Sequence, residues 1–149
     1  MSSIQMYRRL AVLAVVSVVL LTSSASAWTG SVTFYKNAEF SGSKYEWNLT
    51  ESQLCYNLAC FDNKASSVKW EGLPKAGSYN GKSRIAFFIG RACTGFSVSW
   101  PTDGVINGKK DNYPMDFHLD GIDDGISSFD IWEDSSKLTN GKMTPCRWG

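Results

Sequence analysis

Two six-residue stretches carry the most distinctive chemistry in this chain: Asp62-Asn63-Lys64-Ala65-Ser66-Ser67 and Asp123-Asp124-Gly125-Ile126-Ser127-Ser128. Each offers oxygen donors throughout, with carboxylate or amide at its first two positions, backbone carbonyls between, and hydroxyls at its last two. That donor set suits a hard cation such as Ca²⁺, which takes six to eight oxygens of mixed kinds. One short loop supplies too few ligands, so two loops must pool theirs. Asp, Asn and Ser are also common turn residues. A single hexapeptide is therefore a modest signal, and the repeated pattern is a strong one.

Other constellations explain less. Asp116-Phe117-His118-Leu119-Asp120-Gly121 resembles the start of an EF-hand loop, but Ser127 stands where the closing glutamate belongs. His118 is the chain's only histidine, and no G-x-S-x-G elbow or Cys/His arrangement accompanies it. The acidic group Asp116, Asp120, Asp123 and Asp124 has no evident partner carboxylate for a glycosidase pair. Cys55, Cys60, Cys93 and Cys146 match no C-x₂-C zinc spacing and read instead as two disulfides. The preferred pairing is Cys55 with Cys60, stapling a short loop, and Cys93 with Cys146, tying back the tail; the other two connectivities stay open.

The oxygen-rich loops recur because the chain is duplicated. Phe34 to Gly42 aligns without gaps on Phe87 to Gly95, and Trp47 or Trp100 follows each glycine by five residues. Ser66-Ser67 and Ser127-Ser128 match next, with Val68 or Phe129 after them and Trp70 or Trp132 close behind. The second copy carries about eight extra residues, placed in the Gly-, Asn-, Lys- and Pro-rich stretch Asp103 to Met115, which reads as a loop. Around these landmarks the pattern alternates with period two. Ser31 to Tyr35, Lys44 to Trp47, Ser67 to Trp70, Arg84 to Phe88, Phe96 to Trp100 and Ser128 to Trp132 are predicted strands. A short helix or turn is expected around Thr50 to Leu58. The expected fold is all-β, two related four-strand units packed face to face. Trp47, Trp70, Trp100 and Trp132 are assigned to core or inter-sheet packing.

From Ser31 to Glu133 the chain resembles the βγ-crystallins. That family's Greek key opens with an aromatic, four residues, an aromatic, one residue and a glycine. Tyr35 to Gly42 fits throughout, whereas Phe88 to Gly95 places Cys93 at the second aromatic, where a disulfide would replace the missing contact. Both hexapeptides fit the motif of the family's microbial, calcium-binding branch. The resemblance implies a β-sandwich of two Greek keys, about 31–72 and 84–133, and no enzymatic activity. It also implies two Ca²⁺ sites, each taking a serine hydroxyl and a carbonyl from one motif and an acidic or amide side chain from the other. The implied ligands are Ser66, the Lys64 carbonyl and Asn63, with Ser127, the Gly125 carbonyl and Asp124. Hairpin carbonyls near Ala38 and Arg91 complete the shells, Asp62 and Asp123 ligate or brace, and Ser67 and Ser128 bond within the fold.

The N-terminus reads as a secretory signal peptide: Arg8 and Arg9, the apolar run Leu10 to Leu21, then Ala25-Ser26-Ala27. The run is about a dozen residues, short of the roughly 20 that span a bilayer, so no permanent membrane anchor is expected. Cleavage after Ala27 leaves 28–133 as the domain and 134–149 as a tail tied by a disulfide. The formal charge of +1 becomes −1, because Arg8 and Arg9 depart with no acidic residue. Near-neutrality and scattered lysines give no reason to expect nucleic acid. Asn48-Leu49-Thr50 is a glycosylation sequon. Calcium ions are the expected partners, and an extracellular protein or wall polysaccharide is a further candidate. Three roles fit: a calcium-stabilised extracellular structural protein, a secreted toxin, antimicrobial or host-directed effector, and a wall-binding module using Trp28 or Trp148.

Overall fold

The computed structural model describes residues 27–111 and 113–144. All six predicted strands form, as β1 (Gly30–Asn37), β2 (Ser41–Leu49), β4 (Ser67–Glu71), β5 (Arg84–Gly90), β6 (Thr94–Pro101) and β7 (Ser128–Trp132). The expected helix or turn at Thr50 to Leu58 is instead a bend leading into β3 (Cys55–Asn57), and β8 (Lys142–Met143) comes from the tail. The signal peptide and Cys146 lie outside the described residues.

The strands form two sheets, β2-β1-β4 and β6-β5-β7-β3-β8. The architecture is therefore all-β and Greek-key, but the larger sheet draws strands from both copies. β3, from the first copy, crosses to pair antiparallel with β7 of the second, matching Tyr56 with Phe129. The reciprocal segment of the second copy runs along β4, where Val68 donates to the Pro114 carbonyl at 3.1 Å and Phe117 to the Ser66 carbonyl at 2.8 Å. The exchange gives each copy's last strand a neighbour it would otherwise lack, blunting an exposed edge. β8 adds to β3 in parallel register.

Alternation aims Val32 and Phe34 of β1 and Ile85 and Phe87 of β5 into one shared core, where all four are fully buried. Phe34 sets its edge against Trp47 at 5.5 Å and Phe87 at 5.7 Å, and Phe129 lies 5.3 Å away. Burying each such ring contributes about 1.5–3 kcal/mol, so these rings weld the sheets. Trp70 and Trp100 join them, but Trp132 does not. The register shows why: Val32 pairs with Trp70 and Ile85 with Ile131, so Ile131 is the counterpart of Trp70. Trp132 comes one residue later, and one residue along a strand reverses the face. It packs instead on the outer face, 6.2 Å from Phe88 and 5.8 Å from Tyr79.

Candidate cation-binding loops

Each loop is held by a folded hairpin. In the first copy Glu39, Phe40 and Gly42 have φ of 55°, 57° and 79°; in the second Ala92, Cys93 and Gly95 have 59°, 54° and 80°. Three left-handed residues in so short a span turn the hairpin back over its sheet. The glycine tolerates this without penalty, as a side chain would not. The folded hairpin is then pinned by the last serine of the hexapeptide. Ser67 donates to the Asn37 carbonyl at 2.7 Å and accepts from the Phe40 amide at 3.1 Å. Ser128 does the same with Gly90 at 2.6 Å and Cys93 at 2.9 Å. Both serines are fully buried, as expected for residues serving the fold.

The hexapeptides themselves lie side by side. Asn63 donates its backbone N–H to the Ile126 carbonyl at 3.0 Å, and Asp124 donates to Ala65 at 3.2 Å. These bonds exchange one motif for the other, so the loops are related by an approximate internal twofold. Asn63 and Asp124 both sit at positive φ, 54° and 47°, a conformation Asn and Asp adopt more readily than other side-chain-bearing residues. Ser66 and Ser127 are anchored by their amides to the Tyr35 and Phe88 carbonyls, each at 2.9 Å.

Side chains from opposite motifs converge: the Ser127 hydroxyl approaches the Asn63 amide oxygen at 3.5 Å. Two oxygens bound to one calcium at 2.3–2.6 Å with about 90° between them would be separated by a similar distance. The donor set fits the cation. Ala38 and Arg91 stand at matching hairpin positions, where their carbonyls accept from Ser41 at 2.9 Å and Thr94 at 2.8 Å; each keeps a second lone pair. Lys64, Asp123 and Asp124 are exposed, and Gly125 is half-buried. Among the described residues no group of three or more His, Cys, Asp or Glu gathers as a metal site, so any ion here relies on hydroxyl, amide and carbonyl oxygens too.

The residue that sequence reasoning underused is Arg91, nominated only for its carbonyl. Its side chain crosses to Asp62, placing Nη2 at 2.8 Å and Nε at 3.2 Å from Oδ2. The other carboxylate oxygen, Oδ1, is buried and has no hydrogen-bond partner among the described residues.

The expected cysteine pairing is overturned. Cys55 bonds to Cys93, with Cα atoms 5.8 Å apart, so neither the Cys55–Cys60 staple nor a bond from Cys93 to Cys146 exists. The cause is the strand exchange, which carries β3 beside the second copy's hairpin. A disulfide does stand where the aromatic is missing, but its partner comes from the other copy. In the first copy the expected Tyr35–Phe40 contact forms at 5.9 Å. Cys60 is also disulfide-bonded, so none of the three described cysteines is a free thiol. Asn48 lies exposed on β2.

No protein-family model matches this sequence, and no curated protein does. The solved structures it is similar to are βγ-crystallin domains. One, from an archaeon, shares 19% identity over 68% of this chain and 95% of its own, with a TM-score of 0.43. Another, from Clostridium beijerinckii, shares 16% over 68% and 97%, also at 0.43. A structure concerned with the evolution of the eye-lens domain fold shares 19% over 69% and 85%, at 0.44.

Proposed function

We propose that this chain is a secreted, non-enzymatic, calcium-binding protein of the βγ-crystallin type, in which two Ca²⁺ ions stabilise the fold in an extracellular structural or interaction role. The observation that carries the reading is the crossed placement of the two motifs, seen in the approach of Ser127 to Asn63. Each ion would draw a hydroxyl from one motif and a side-chain oxygen from the other, and so would cross-link the two copies. If calcium is about 100-fold above its dissociation constant, each site adds about 2.7 kcal/mol to stability.

Calorimetry of the purified secreted protein with Ca²⁺, repeated on Ser66→Arg, Ser127→Arg and the double variant, tests this. About two sites, a higher melting temperature with calcium, and loss of binding in the double variant are expected. Heats unchanged in the double variant would sink the site assignment.

A second reading, a secreted toxin or host-directed effector, is favoured by one observation. The Cys55–Cys93 bond joins the two copies covalently, providing a link that needs no calcium. Growth inhibition or cell death caused by the pure protein would select it.

A further inference from the structure

The two loop sites are unequal, and the geometry points to Arg91 as a tethered internal cation that competes with calcium at one of them. This rests on the calcium reading above. Residues 38 and 91 occupy the same place in the two hairpins, each one residue before the matching left-handed pairs Glu39-Phe40 and Ala92-Cys93. The first copy has only a methyl group there. The second has a guanidinium that reaches the opposite motif and holds Asp62 Oδ2 through two nitrogens.

That ion pair adjoins the oxygens assigned to one ion. Asn63, next to Asp62, is the residue whose amide oxygen meets Ser127. The ion drawing on Ser127, the Gly125 and Arg91 carbonyls and Asn63 therefore finds a neutral amide, and beside it a carboxylate already paired with a guanidinium. The other ion, drawing on Ser66, the Lys64 and Ala38 carbonyls and Asp124, finds a carboxylate ligand with Asp123 beside it. Neither Asp123 nor Asp124 is held in an ion pair among the described residues. Lys64 is near, but it is exposed and engages no carboxylate among the described residues, and an exposed ammonium is well hydrated and screened. Ligand charge tunes calcium affinity over orders of magnitude. The Asp124 site fills first, and the Asn63 site is weaker by at least about tenfold.

The test is calcium calorimetry of the wild type, Arg91→Ala, Arg91→Lys and Asp124→Asn, with melting curves in chelator alongside. Expected are one tight and one weak class in the wild type. Arg91→Ala should strengthen the weak class about tenfold, Arg91→Lys should fall between, and Asp124→Asn should remove the tight class. In chelator, Arg91→Ala should melt close to the wild type, because the ion pair is 69% exposed on the arginine side and such pairs add little to stability. Two equal classes in the wild type, or a weak class that ignores Arg91→Ala, would overturn this inference alone. No calcium heat from any of the proteins would overturn the calcium reading and this inference with it.

Discussion

The Ser127 hydroxyl and the Asn63 amide oxygen, 64 residues apart in sequence, approach to 3.5 Å because each belongs to the loop that the other copy's loop pairs with. If both are ligands of one ion, Asn63→Ala should weaken that ion. Losing even an outer-shell partner commonly costs 10–100-fold, so a direct ligand should cost at least about tenfold in affinity. Calorimetry of Asn63→Ala should show one class weakened while folding in chelator is retained. Both classes unchanged would remove Asn63 from the ligand set.

Ser67 and Ser128 separate fold from function. Each buried hydroxyl satisfies a hairpin carbonyl and a hairpin amide. Removing one leaves two backbone groups short of a partner, at a cost of about 1–3 kcal/mol. Urea melts of Ser67→Ala and Ser128→Ala in chelator should show losses of that size in both. A loss in only one copy would mean that the two hairpins are not equivalently pinned.

Asp130 makes stability depend on pH. It is fully buried on β7. Burial pushes its pKa up to about 7, offset only in part by the Ile131 and Leu54 amides and the Trp132 indole. The folded chain thus keeps a proton that the unfolded chain releases near pH 4. This contribution is fully present below about pH 4 and is lost as pH rises through about 7, for a total on the order of 4 kcal/mol. Asp120, raised by burial and by Asp116, acts in the same direction. Melting temperatures should fall from pH 5 to pH 8, and Asp130→Asn should flatten most of that slope. An equal slope in the variant would show that Asp130 is not the responsible group.

Asp130 also marks how far local pattern could reach. Its counterpart Lys69 is exposed, and alternation alone assigns both to an outer face. The bend before β3 lies against this end of β7, with the Leu54 amide beside Asp130 and Gln53 donating to the Ile131 carbonyl at 2.7 Å, and the tail holds that bend, Thr139 and Asn140 donating to the Gln53 carbonyl at 3.1 Å. Trp132 departs from its expected core position for a related reason, since closeness in sequence says nothing of strand face until the register is known.

The sequence by itself determined the six main strands, the two folded hairpins and the two oxygen-rich loops. All of these rest on interactions within a few residues: alternation, a glycine that accepts positive φ, and turn-forming Asp, Asn and Ser. Only the tertiary structure decided the β3 exchange, the Cys55–Cys93 bond and the grip of Arg91 on Asp62. Each depends on which copy's strand lies beside which. That choice is made by shared burial of the whole core, whose energy is non-directional and leaves no mark in a local pattern.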